Sequence, residues 1–251
     1  METELRPYWS RLFAFDWPFG LFLLLAVCVP RFGLVLDANV TGNYELIGLI
    51  MVLSALVPFV FLSNYGREQI GLVKPQNYRW FVAAFITGLI SSLLLYLVGE
   101  WMYGNSYENW YRYIGKSYNI PNGVNPERRA TLFGITAVTG MIFSPVGEEF
   151  FFRGIVHASV EKTLRSIRAS LVDSAAFALT HIAHFGLVFV DNQWIFLGPP
   201  TLIWVSAMFL LSRLFLFFKK RSGSIWGAVV CHAAFNLGMT YYIFYPTYSQ
   251  N

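Results

Sequence analysis

Three short stretches of the chain carry side chains able to move protons, and all three lie in apolar surroundings. The first is Glu148-Glu149-Phe150-Phe151-Phe152-Arg153; the second holds His181 and His184; the third holds His232 and Asn236. On a helix, Glu149 and Arg153 are four apart, share a face and can form an ion pair. Glu148 points about 100° away and has no basic partner at helical spacing. A paired carboxylate keeps its charge. An unpaired one in low dielectric takes up a proton more readily and can return it, as a general base must. Glu148 is therefore the expected base, with Glu149 and Arg153 as its structural support. His181 and His184 lie roughly on one helical face, and His232 and Asn236 share another. Three helices could thus bring a carboxylate, imidazoles and a carboxamide to one cavity, to activate a water and stabilise an oxyanion. A metal stays open as the alternative, because Glu148, His181 and His232 would make a common zinc ligand set. Plainer roles suit the rest: an interhelical hydrogen bond for His184 and for His157, which lies near the interface, and pairing or snorkelling for Asp173 and Arg213.

Such groups are costly inside a bilayer, at least about 2.5–3.5 kcal/mol each at its centre. A bilayer is nevertheless what the composition calls for. Hydrophobic residues make up 56% of the 251 and charged residues only 13%, about half the usual soluble share. The expected fold is all-α, a polytopic transmembrane helical bundle forming one integral-membrane domain over 1–251. Stretches of about 20 apolar residues give seven spans, at 17–36, 44–62, 80–99, 131–152, 169–190, 201–218 and 224–245, with an eighth left open. Pro30 and Arg31 suggest that the first ends early or kinks. Cys28 and Cys231, both in apolar runs, read as small hydrophobes and not as a disulfide.

Basic residues concentrate in the N-terminus (Arg6, Arg11) and in the connections after the second, fourth and sixth spans, the last of these holding Lys219, Lys220 and Arg221. That bias predicts a cytoplasmic N-terminus, and the net charge of +4 then reflects membrane orientation, with no nucleic-acid partner. The long connection 100–130 is rich in Trp and Tyr and reads as an aromatic belt on the outer interface, with a lid as the alternative. If the fourth span ends near residue 152, Glu148 lies close to the cytoplasmic end and the site faces the cytoplasm.

In these motifs the chain resembles the CAAX-protease and bacteriocin-processing (CPBP, or Abi) family of intramembrane endopeptidases. Glu148-Glu149-x-x-x-Arg153 is similar to its first motif, Phe177-x-x-x-His181 to its second and His232-x-x-x-Asn236 to its third. The resemblance spans about 67–239. It implies peptide-bond hydrolysis without a cofactor, with Glu148 and His181 activating water and His232 and Asn236 forming or supporting the oxyanion site; zinc remains the alternative cofactor. His184 stands outside the motifs as a further candidate. The implied partners are the lipid bilayer and a prenylated, lipidated or membrane-anchored peptide or protein. The short chain reads as a protein of a prokaryotic cytoplasmic membrane. Two other classes fit less well: a non-catalytic immunity or scaffold protein, and a proton-coupled transporter, which would call for repeated halves.

Overall fold

The computed structural model describes residues 3–118, 120–121 and 123–247. Helices dominate: α1 (Trp17–Thr41), α2 (Glu45–Phe61), α3 (Asn64–Gln69), α4 (Arg79–Tyr103), α5 (Trp110–Lys116), α6 (Pro126–Glu148), α7 (His157–Thr163), α8 (Ser166–Thr180), α9 (Gly198–Ser222) and α10 (Trp226–Tyr242). A π-helical segment, Glu149–Val156, joins α6 to α7 without a break. Sheet is confined, among the described residues, to an antiparallel hairpin of β1 (Leu187–Val190) and β2 (Gln193–Phe196).

Among the described residues, four helical stretches are long and apolar enough to cross a membrane: Trp17–Thr41, Arg79–Tyr103, Pro126–Thr163 and Gly198–Ser222. Apolar side chains also face outward. On α4, Val82, Ile86, Ile90, Leu94 and Leu97 form an exposed stripe, a surface that lipid solvates and water does not. The chain is an integral membrane helical bundle.

Helices occur in order at the expected positions, fewer of them long and apolar enough to cross a membrane than expected, and three differ in their bounds. The first neither ends nor breaks at Pro30; α1 runs on to Thr41 and stops at Gly42, whose φ of 73° suits a glycine C-cap. The fourth extends to Thr163, because the π segment absorbs the irregularity that follows Pro145. The fifth is cut short: α8 ends at Thr180, and the apolar run 185–190 enters the hairpin. Asp191 and Asn192, at φ 50° and 60°, close it in the left-handed geometry that two-residue hairpin turns require.

Chain connections gather at two ends. At one, Leu5 bridges Leu62, Glu4 pairs with Lys162 at 2.5 Å, and Ser224 Oγ donates to Val73 O at 2.6 Å. The N-terminus and the basic connections after α2, α7 and α9 therefore share this basic end. At the opposite end lie the α1–α2 connection, α5 and the hairpin, where the amide of Phe189 donates to Tyr113 Oη at 2.8 Å. The aromatic belt expected over 100–130 is split: Trp101 and Tyr107 are exposed, whereas Trp110, Tyr111 and Tyr113 are internal. Trp110 and Tyr111 of α5 are fully buried, and their Nε1 and Oη donate to Leu95 O and Ser92 O of α4 at 3.2 and 2.8 Å. Gly99 makes the close approach feasible, since a Cβ there would stand 3.2 Å from the Trp110 ring.

Candidate active site

The site is built where α6 passes α2 at backbone distance. A Cβ at Gly147 would lie 2.4 Å from Met51 O, so glycine alone permits this crossing and sets the level of the next residue. Glu148, 2% exposed, turns toward α1 and a cavity of about 210 Å³. Its Oε1 accepts from Arg31 Nη2 at 2.7 Å and from Ser144 Oγ at 2.8 Å. Its Oε2 has no hydrogen-bond partner among the described residues and lies 4.0 Å from His181 Nε2. The expectation that Glu148 is unpaired is thus corrected. Its own helix offers no cation, but α1 supplies Arg31 across a sequence separation of 117. Arg31 was misread as a helix terminus; the available signal was a cation placed well inside an apolar run.

Glu149 points elsewhere, as the helical spacing requires. Its Oε2 is 3.2 Å from Arg153 Nε, both side chains being fully buried, and its Oε1 is 2.7 Å from His232 Nδ1. The Arg153 guanidinium lies over the Phe177 ring, 4.1 Å from its centroid, a cation–π contact in a dry setting. The His232 ring stacks on Phe215 at 4.6 Å and 10°. Glu149 therefore braces both Arg153 and His232.

His181 follows the last turn of α8. Its Nδ1 bonds Phe177 O at 2.7 Å, so Nδ1 carries the proton and Nε2 is left toward the cavity. Trp204 Nε1 donates to the His181 carbonyl at 3.1 Å. Asn236 Nδ2 donates to Gly140 O at 3.0 Å, leaving its second N–H free of that bond. Glu148, His181, His184, His232 and Asn236 all line the one cavity. The His184 and His181 rings are 5.5 Å apart. Three polar residues fall outside it: His157, 3% exposed, pairs with Asp173 of the neighbouring helix α8, and Arg213 donates to Ser170.

Among the described residues no group of three or more His, Cys, Asp or Glu side chains is disposed to hold a metal ion.

The cavity reaches toward the end opposite the basic connections. Its lining runs from Glu148 and His232 to Tyr44, Ile114 and Ser117, all three of which lie at the opposite end. The level of Met51 agrees, about 9 Å from the α2 start at Glu45 and about 15 Å from Phe61, at ~1.5 Å per residue. The expected opening toward the basic end assumed a helix ending near residue 152, whereas the helix continues through α7 to Thr163.

Comparison with curated proteins and with solved structures gives no match. Residues 130–238 match the family model described as type II CAAX prenyl endopeptidase, Rce1-like. That stretch contains every motif residue from Glu148 to Asn236, whereas Arg31 and α1 to α5 lie outside it. Motif resemblance and family match agree: residues 130–238 of this membrane protein are similar to the Rce1-like type II CAAX prenyl endopeptidases.

Proposed function

We propose that the chain hydrolyses a peptide bond in a membrane-associated peptide, with Glu148 and His181 activating the attacking water. The observation that carries this reading is the free Glu148 Oε2 facing His181 Nε2 at 4.0 Å. Two acceptors at that spacing can each receive a hydrogen bond from one water at ~2.8 Å. The water gives up a proton as its oxygen bonds the scissile carbonyl carbon. The oxyanion forms beside His232 and Asn236, where the second Asn236 N–H, and the Nε2–H of a protonated His232, can donate to it. Collapse breaks the C–N bond, and the proton held by Glu148 or His181 passes to the leaving amine. No step is assigned to a metal. The basic-residue bias supports an N-terminus on the cytoplasmic side of the membrane.

Purified protein in detergent, assayed on prenylated and unprenylated peptides, tests this reading. Glu148→Gln should lower kcat by at least about 100-fold; cleavage at the wild-type rate would overturn the mechanism and favour a non-catalytic scaffold. Activity should survive exhaustive chelation, with no metal detected by elemental analysis. Loss on chelation with recovery on adding zinc would restore the metalloprotease reading.

A further inference from the structure

We propose that the groove between α8 and α9, at the basic end of the bundle, binds an anionic phospholipid. The site is separate from the catalytic cavity and independent of the peptidase reading. The groove, of about 370 Å³, is lined by Ser166, Ile167 and Ser170 of α8 and by Arg213, Phe217 and Lys220 of α9. On α9 these three residues are spaced by four and three and so share a face. Lys220 Nζ donates to Ser166 Oγ at 3.1 Å. Arg213 donates to Ser170 Oγ, which leaves most of the five N–H groups of its guanidinium unused. Neither cation is ion-paired among the described residues. The start of α8 adds positive charge: Arg165 is its N-cap, Arg168 follows, and the first turn holds no acidic residue and no side-chain cap bond. A helix N-terminus favours negative charge, and here no side chain supplies it.

Lys220 alone would call for no ligand, because cations near a helix C-terminus offset its dipole and mark a membrane boundary. Arg213 is different. It lies about 10 Å further along α9, inside the apolar run Phe209-Leu210-Leu211-Ser212-Arg213-Leu214-Phe215, where a charge needs a partner. Two long side chains at that spacing can converge on one phosphate group. The apolar surface beside them fits the rest of a lipid. Ile167 and Leu171 on α8, and Phe217 and Leu210 on α9, are all exposed. The first pair is four residues apart and the second seven, so each lines one helix face. Together they continue the groove past Arg213, as acyl chains continue below a headgroup. Basic pockets between transmembrane helices hold anionic headgroups in this way, whereas a free phosphate would leave the apolar track uncovered.

Thermal unfolding of the full-length protein, stripped of lipid in a nonionic detergent, reads the site without reference to activity. Dioleoylphosphatidylglycerol should raise the unfolding temperature saturably, as a ligand of the folded state does. Dioleoylphosphatidylcholine, with the same chains and no net charge, should raise it far less at equal concentration. Lys220 is exposed, so Lys220→Gln spares the packing; it should weaken the apparent phosphatidylglycerol affinity roughly 5-fold. Arg213→Gln combined with Lys220→Gln should weaken it further. Arg11→Gln removes the same charge from an exposed position outside the groove and should leave the affinity unchanged. Equal stabilisation by the two lipids would overturn the proposal. So would a Lys220→Gln titration that matches wild type, or an equal loss in Arg11→Gln, which would reduce the effect to net charge. Inorganic phosphate alone should not reproduce the shift; if it does, the groove takes a soluble anion and the lipid assignment is wrong.

Discussion

Glu148 and Glu149 are adjacent and both buried, yet their surroundings give them different work. Glu149 is enclosed by Arg153 and His232 and has no free oxygen toward the cavity lining, which includes Glu148 but not Glu149. Removing its charge should act on folding first: Glu149→Gln leaves the fully buried Arg153 uncompensated, and such losses cost about 3–5 kcal/mol. Chemical denaturation in detergent should show that drop. For Glu148→Gln, by contrast, the loss of kcat measured on the folded fraction should exceed any change in KM. The division between the two carboxylates was legible in the sequence, because a one-residue step on a helix turns a side chain by about 100°. The pairing of Glu148 was not legible, since Arg31 reaches it through tertiary packing and shares no local spacing with it.

The helices that deliver these side chains depend on close approach and on one irregular turn. At Gly147 any side chain would strike the Met51 carbonyl, 2.4 Å away, and a backbone atom cannot rotate aside. Gly147→Ala should therefore lower stability by about 1–3 kcal/mol, as overpacking does, and reduce activity by shifting Glu148 relative to His181. Thermal unfolding beside peptide cleavage would check both, and a variant as stable and active as wild type would refute the crossing. Long apolar runs made most helices readable, and basic bias made their alternation readable. The π segment Glu149–Val156 was hidden because its wider turn keeps Glu149 and Arg153 on neighbouring faces, as an α-helix would. The end of α8 was hidden for a different reason. Phe185-Gly186-Leu187-Val188-Phe189-Val190 is equally apolar as helix or strand, and Asp191-Asn192 was the turn signal that went unread.

At the scale of the molecule, the site joins two parts of the chain that the family match separates. Residues 130–238 carry the motifs, but α1 contributes Arg31, and both Arg31 and Tyr44 line the cavity. The Arg31–Glu148 contact is 2.7 Å long with both side chains almost wholly buried, so each charge depends on the other. A double-mutant cycle can measure this link. Arg31→Met should destabilise by roughly 3–5 kcal/mol because Glu148 loses its partner, and Glu148→Gln should do so because Arg31 loses its own. In the combined variant no buried charge is left unpaired, so its loss should fall below the sum of the single losses by about 2 kcal/mol or more. Denaturation of the four proteins in one detergent gives the coupling. Additive losses would mean that α1 merely packs beside the site. Coupling of the expected size would mean that the first helix completes it, and that a fragment limited to 130–238 lacks the charge balance its own glutamate needs.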